Sequence, residues 1–288
     1  MHTPERPATK LNRSIRSLAL GVEKVLAFIK RGFFIMTSYR LNFALTFATM
    51  ISQLFAFYFI GKLLGGEALP YIEPYGGNYA TFVIWGIVFQ SFIVTGLNGF
   101  SSEIRNEQLM GTLELVFLSP TRLITILLCS SIWNFLSSSI YSSATILVAA
   151  TFFELDLMHA NWLSAIIMLT LTVLSMMGIG IISAGIVLVT KVGDPVNWIF
   201  SILSILLCGV YYPTKILPPI LRTISAFLPL TYGLEGMRSA LMTGTPVMHL
   251  MDKVAVLFAF ILITWPLGYV VFRRGFNKAR AEGSLSQY

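Results

Sequence analysis

The chain has 288 residues, 56% of them hydrophobic and 11% charged, with a formal net charge of +7, whereas soluble domains carry roughly 25% charged residues. A composition so poor in charge excludes a soluble core, and the basic residues sit mainly at the two ends of the chain rather than on a module with interleaved aromatics, which excludes nucleic-acid binding. Cys129 and Cys208 are the two cysteines; both fall inside apolar runs and read as inert buried thiols, not as a disulfide or a metal pair.

The opening stretch, MHTPERPATKLNRSIR, is followed by no short apolar run with a small-residue cleavage site, so no removable signal peptide is expected. Leu11, Ile15, Leu18, Val22, Val25, Ile29 and Phe33 then recur at steps of four and three. Arg13, Arg16, Glu23, Lys24, Lys30 and Arg31 fall on the opposite side. At about 100° per residue the apolar set forms a stripe roughly 80° wide. This predicts an amphipathic helix lying on the inner leaflet, within an N-terminal cytoplasmic segment of residues 1–40.

Crossing roughly 30 Å of hydrocarbon takes about 20 residues at 1.5 Å each. Six apolar blocks meet that length, at about 41–64, 79–100, 123–153, 162–190, 195–212 and 254–272. The predicted fold is therefore an all-α membrane protein with a six-span transmembrane domain over 41–273 and a basic cytoplasmic tail over 274–288. Positive side chains near span ends are preferentially kept in the cytoplasm. With the N-terminus inside, fifteen of the 20 Lys and Arg fall on the cytoplasmic side, which supports an even number of crossings and both termini in the cytoplasm.

The parity also settles how residues 213–250 are read. Their apolar stretch is cut by Pro218, Pro219 and Pro229 and carries Arg222, and a seventh crossing here would turn Arg273, Arg274, Lys278 and Arg280 outward. The expectation is one or two short helices dipping into the outer half of the bilayer, shielded by protein or facing a watery cavity.

Charge is concentrated between spans two and three, in SSEIRNEQLMGTLELVFLSPTRL. Ser101 and Ser102 suit the start of a short helix with Glu103 in its first turn. Gly111 interrupts that helix, Thr112 suits the cap of a second, and Ser119-Pro120 ends it. The segment reads either as a cytoplasmic elbow presenting Glu103, Arg105, Glu107 and Glu114 to a partner, or as a solvated connection.

The string EIRNEQLMGTLELVFLSP resembles the region between the second and third spans of the ABC type-2 permease family. FLPLTYGLEGMRSALM, residues 227–242, is similar to the family's pattern before its last span. The six spans, the lead-in helix and the re-entrant segment agree, so the resemblance covers nearly the whole chain.

The resemblance implies the membrane permease subunit of an ABC exporter in the plasma or inner membrane. Its elbow (Glu103, Arg105, Glu107, Gly111, Thr112, Glu114) would be a coupling helix docking on a separate ATPase subunit that binds ATP and Mg. A second permease subunit, identical or paired, would complete the pathway. The chain itself carries no Gly-x4-Gly-Lys-Ser/Thr phosphate loop, since Gly61-Lys62 is followed by Leu63. It is expected to bind no cofactor and to be no enzyme.

Span two offers Gln90, Ser91, Thr95 and Asn98, and span five offers Ser201, Ser204, Cys208 and Tyr211. Gln90, Thr95, Asn98, Ser201, Ser204 and Tyr211 are the candidate translocation-pathway residues, and interhelical hydrogen bonding is the alternative reading. Pro229, Tyr232, Glu235 and Arg238 are expected to support the re-entrant turn, the last two standing three residues apart so that they can pair. Glu154 and Asp156 end the third span outside. His2, His159 and His249 are isolated, so no metal site is expected.

Nonpolar spans favour an amphipathic, lipid-like or drug-like cargo moved out of the cytoplasm or inner leaflet. A polysaccharide or lipid-linked glycan exporter is the alternative within the family. An intramembrane enzyme would show converging His, Asp or Ser-Lys groups within the spans, and an ATP-independent secondary transporter would show ionisable residues at midplane. The spans offer neither pattern clearly.

Overall fold

The structure, a computed structural model, describes residues 7–64, 69–75, 78–112, 123–153, 158–190 and 193–281. In an apolar solvent each backbone N–H and C=O must be satisfied within the segment, and the helix is the local way to do so. The α-helices are α1 (Pro7–Ser38), α2 (Arg40–Leu64), α3 (Tyr79–Leu109), α4 (Leu123–Phe152), α5 (Trp162–Thr190), α6 (Pro195–Leu207), α7 (Pro219–Ser225), α8 (Pro229–Met242) and α9 (Met251–Ala281). Short helical turns at Leu69–Ile72, Glu73–Tyr75, Thr214–Ile216 and Val247–Leu250 complete the order, and no strand occurs among the described residues.

Five helices, α2, α3, α4, α5 and α9, are long and apolar enough to cross a membrane. The predicted fifth span differs from its expectation of 195–212. α6 has 13 residues, about 20 Å at 1.5 Å each, short of the roughly 30 Å of hydrocarbon. It stops where Gly209 adopts φ +78, and residues 208–213 continue without regular structure.

Boundaries move in the other direction at α3, which runs through Leu109 rather than ending near residue 100. Ser101 and Ser102 are therefore interior to a helix instead of capping a new one. The cap at its start is Asn78, whose side chain accepts from the Thr81 amide at 3.2 Å.

α3 and α5 form the centre and run parallel. Trp85 meets Trp162 edge-on at 6.1 Å near one end, Gly96 lies against Val173 midway, and Gln108 Nε2 donates to the Val187 carbonyl at 3.4 Å near the other. α9 runs along α5, with Trp265 Nε1 donating to the Leu174 carbonyl at 2.9 Å.

Between apolar helices in lipid the attraction is close packing, which small residues permit. A Cβ on Gly180 would stand 2.5 Å from the Leu97 carbonyl oxygen, and one on Gly275 would collide with the Gly185 carbonyl. α4 runs antiparallel to α3, joined by Ser91–Ser142 at 2.9 Å and Thr95–Ser138 at 2.5 Å between hydroxyl oxygens.

α2 is peripheral. Only 6% of its apolar window is buried, against 56% for α3, so α2 offers most of its surface to the surrounding solvent. It leans on α4 through Phe43–Tyr141 and Phe55–Phe152, each at 5.9 Å. α1 is nearly continuous with α2, since the Tyr39 and Phe43 amides still donate to the Ile35 and Tyr39 carbonyls at 3.1 Å.

The expected short helices between spans five and six are α7 and α8. α8 packs antiparallel on the first part of α5. Gly233 lies on Thr172, Gly236 on Met168, and the Asn161 amide donates to the Ala240 carbonyl at 2.9 Å. It covers about three turns of α5 and does not traverse the bundle. The molecule thus has a hairpin end, with α7 and α8, and an elbow end, with Leu109, Thr190 and Pro195.

Candidate functional site

At the elbow end the predicted charges sit on the last turns of α3. Glu103, Arg105 and Glu107 share the helix that forms the core, so their backbone is continuous with the centre of the bundle. Gly111 ends it with φ +65, a left-handed conformation open to glycine without strain. Met110 and Thr112 donate their amides to the Asn106 and Glu107 carbonyls at 2.9 and 3.0 Å.

The Thr112 hydroxyl also donates to the Glu107 carboxylate. Glu114 and the second short helix of the elbow lie outside the described residues, as do Glu154 and Asp156. α1 backs onto α4 where a Cβ on Gly32 would strike the Trp133 ring. Between α1, α3 and α4 a cavity of about 330 Å³ is lined by Arg31, Glu103, Asn106, Glu107, Trp133 and Asn134. α1 and the charged end of α3 therefore present one mixed-charge surface.

Next to it lies a junction absent from the sequence reading. Asp194 is the N-cap of α6: its Oδ1 accepts from the Asn197 amide at 3.1 Å and from the Ser183 hydroxyl. Its Oδ2 accepts from Asn197 Nδ2 at 2.6 Å, and the same amide group donates to Ser101 Oγ at 2.5 Å. Ser101 and Ser183 are fully buried. Helices α3, α5 and α6 thus meet in one hydrogen-bonded cluster, one turn from Glu103. The signal was present in the sequence as Asp194-Pro195, a capping residue followed by a proline at the first helical position.

The other end of α6 meets Arg238, which is 3% exposed. Its Nη1 and Nη2 donate to the Gly209 and Val210 carbonyls at 2.6 Å each, and its Nε donates to the Phe82 carbonyl at 3.2 Å. The guanidinium carbon stands 3.4 Å from the centre of the Phe82 ring. A planar fork of donors suits this task, because one group donates to three carbonyls from two segments.

Gly86 makes room: a Cβ there would press on both the Val210 carbonyl and the Arg238 guanidinium. Arg238 reaches these carbonyls and makes no ion pair with Glu235. Burial first, then the Glu235 carboxylate, hold the Tyr75 phenol above its ordinary value. The Tyr232 hydroxyl donates to the Ala226 carbonyl at 3.0 Å, and Pro229 opens α8.

The polar groups of α3, of α6 and of the residues just after α6 are engaged within the bundle to different degrees. Thr95 and Ser91 bond to α4 as described. Tyr211 stacks on Phe57 at 4.5 Å, and its hydroxyl accepts from Gln53 Nε2 at 3.0 Å. Ser204 is buried and its hydroxyl finds no partner, while Gln90, Asn98 and Ser201 are half-buried. Cys129 and Cys208 are both buried free thiols. Among the described residues no three metal-ligating side chains converge.

The profile of the family described as ABC-2 type transporter matches residues 23–242. The linearmycin resistance permease protein LnrN of Bacillus subtilis (strain 168) is 26% identical over 128 residues, 44% of this chain and 33% of that protein. Nodulation protein J of Rhizobium leguminosarum bv. trifolii is 25% identical over 235 residues, 75% of this chain and 87% of that protein. The match thus spans about a third of the first relative and most of the second.

Proposed function

The chain belongs to the ABC-2 type transporter family, and from that premise we propose that it is the membrane permease subunit of an ABC exporter, driven by a separate ATPase subunit that binds ATP and Mg. The family match carries this reading, and the mixed-charge surface at the elbow end supports it. Glu103, Arg105, Glu107, Gly111, Thr112 and Glu114, together with the polar face of α1, form the docking surface. Because Glu103 sits on the helix that carries Ser101, a push on the elbow reaches α6 through Asn197 and Asp194. ATP acts only by favouring one membrane conformation over another.

In this reading α6 and the irregular residues after it make the fifth of six crossings, with both termini in the cytoplasm, as the basic bias supports. Residues 1–40 form the interfacial segment, 41–273 the transmembrane domain and 274–288 the basic tail. Irregular backbone at membrane depth is tolerated only where protein or a watery cavity covers it. α6 exposes Trp198 and Leu206, and the hairpin exposes Ile220 and Phe227, so a second permease subunit covers this side and the pathway runs between the two copies. Gln90, Asn98 and Ser201 face it, and Thr95, Ser204 and Tyr211 brace its wall.

The cargo is amphipathic and lipid-like or drug-like, in keeping with the resistance named for the first relative. The test is reconstitution with the cognate ATPase. Glu107→Arg is expected to insert normally yet lose substrate-stimulated ATP hydrolysis, because reversing a charge on a docking surface opposes a complementary partner. Full ATP-driven export by that variant, or export by the permease without any ATPase, overturns the proposal. Stimulation by glycans and not by amphipathic compounds reassigns the cargo alone.

A further inference from the structure

The cavity between α1, α3 and α4 carries charge of both signs. Glu103 and Glu107 enter it from the last turns of α3 and Arg31 from α1, while Phe28, Ile35 and Trp133 supply apolar wall. Arg31 is near enough to act on the Glu103 carboxylate electrostatically, yet among the described residues the two form no ion pair. They stand apart within the cavity. At about 330 Å³ the space is on the order of ten liquid waters, enough for a polar head group and too little for a whole lipid.

α1 leaves Leu26, Phe33 and Phe34 exposed, which sets that helix against hydrocarbon at a membrane surface. A ligand reaching the cavity from that side is a lipid. A single cation answers the carboxylates and leaves Arg31 facing it, and an anionic head answers Arg31 but meets two carboxylates. A head group with both charges answers all three. Between zwitterionic phospholipids the carboxylates choose, because a primary ammonium offers three N–H donors for charge-assisted hydrogen bonds and a trimethylammonium offers none.

We propose that this cavity is a binding site for phosphatidylethanolamine, its ammonium held by Glu103 and Glu107, its phosphate by Arg31, and the top of an acyl chain laid on Ile35 and Trp133. Thr112 already donates to Glu107, so Glu103 takes the larger share of the ammonium. The site does not depend on the export reading, since it needs only that α1, α3 and α4 meet at a bilayer surface. Occupancy bridges α1 to α3 from the membrane side.

The test uses the full-length protein in nanodiscs of phosphatidylethanolamine, phosphatidylcholine and phosphatidylglycerol, with retained lipid counted by native mass spectrometry. Phosphatidylethanolamine is expected to be retained over both others and not displaced by soluble phosphoethanolamine, which lacks the chain. Glu103→Gln and Arg31→Gln are each expected to lose that preference by about fivefold, the weight of one charge near a bilayer surface, whereas Lys30→Gln, which does not line the cavity, keeps it. Asn134→Phe leaves all three charges in place and fills the space, so it too is expected to lose the lipid, and with the exposed Arg31 it decides the matter if Glu103→Gln does not fold. Equal retention of the three lipids, an equal loss in Lys30→Gln, or displacement by phosphoethanolamine overturns the proposal. So does unchanged retention in Glu103→Gln and Arg31→Gln with binding of the ATPase lost, which would give the cavity to a basic side chain of that partner.

Discussion

At its start α6 is capped by a carboxylate from the preceding residue, Asp194, whereas the carbonyls just beyond its end, at Gly209 and Val210, are met by a guanidinium from another helix, Arg238. The two ends carry opposite charges in the order the helix dipole favours, negative at the N-terminus and positive at the C-terminus. The means differ. The first end is secured within one turn of its own sequence and then tied outward through Asn197 to Ser101. The second exists only because α8 folds back against α3. A short helix of this kind is held as a unit by its partners, so moving either partner moves all of it.

The contrast makes the Arg238 end the more costly to disturb. Arg238→Met leaves the Gly209 and Val210 carbonyls unpaired in a dry interior, at about 1–3 kcal/mol for each buried unsatisfied group, so a loss on the order of 3 kcal/mol or more is expected in thermal unfolding of the purified protein. Arg238→Lys keeps the charge without the fork and is expected to recover less than half of that. A cost for Arg238→Met below that of Asp194→Ala breaks the comparison.

Gly86→Ala comes next, at about 2 kcal/mol for overpacking, because the new methyl meets the Val210 carbonyl and the guanidinium from the side. Asp194→Ala removes a cap and is expected to cost about 1 kcal/mol. Its larger effect should appear in transport, since the link from the elbow to α6 is lost. Normal export by a stable Asp194→Ala protein removes that link from the mechanism. Thr95→Val is the smallest, at about 0.6 kcal/mol for an interhelical hydrogen bond. A transport defect without any change in melting would instead place Thr95 on the pathway.

Much of the arrangement was legible in the chain. The starts and ends of α2 and α5 follow the hydropathy closely, and Pro218, Pro219 and Pro229 marked the two short helices before α9. Gly111 was legible as the break after the charged segment, and left-handed backbone there bears it out. The Ser101 and Ser102 reading failed for a physical reason: serine suits a helix start only if the helix begins there, and inside α3 the same hydroxyls bond back to the Asn98 carbonyl. Charge at Glu103 signalled the end of a span in the bilayer, not the end of the helix.

The sequence by itself determined that this chain lies in a membrane, that its long apolar blocks become helices, and which family it resembles, because hydropathy and motif are sums over neighbouring residues. Only the tertiary structure decided that α6 stops short and that Arg238 answers the carbonyls left open, 28 and 29 positions away. A broken helix in an apolar interior is stable only when something supplies the missing donors, and which residue does so depends on how α3, α6 and α8 meet in space.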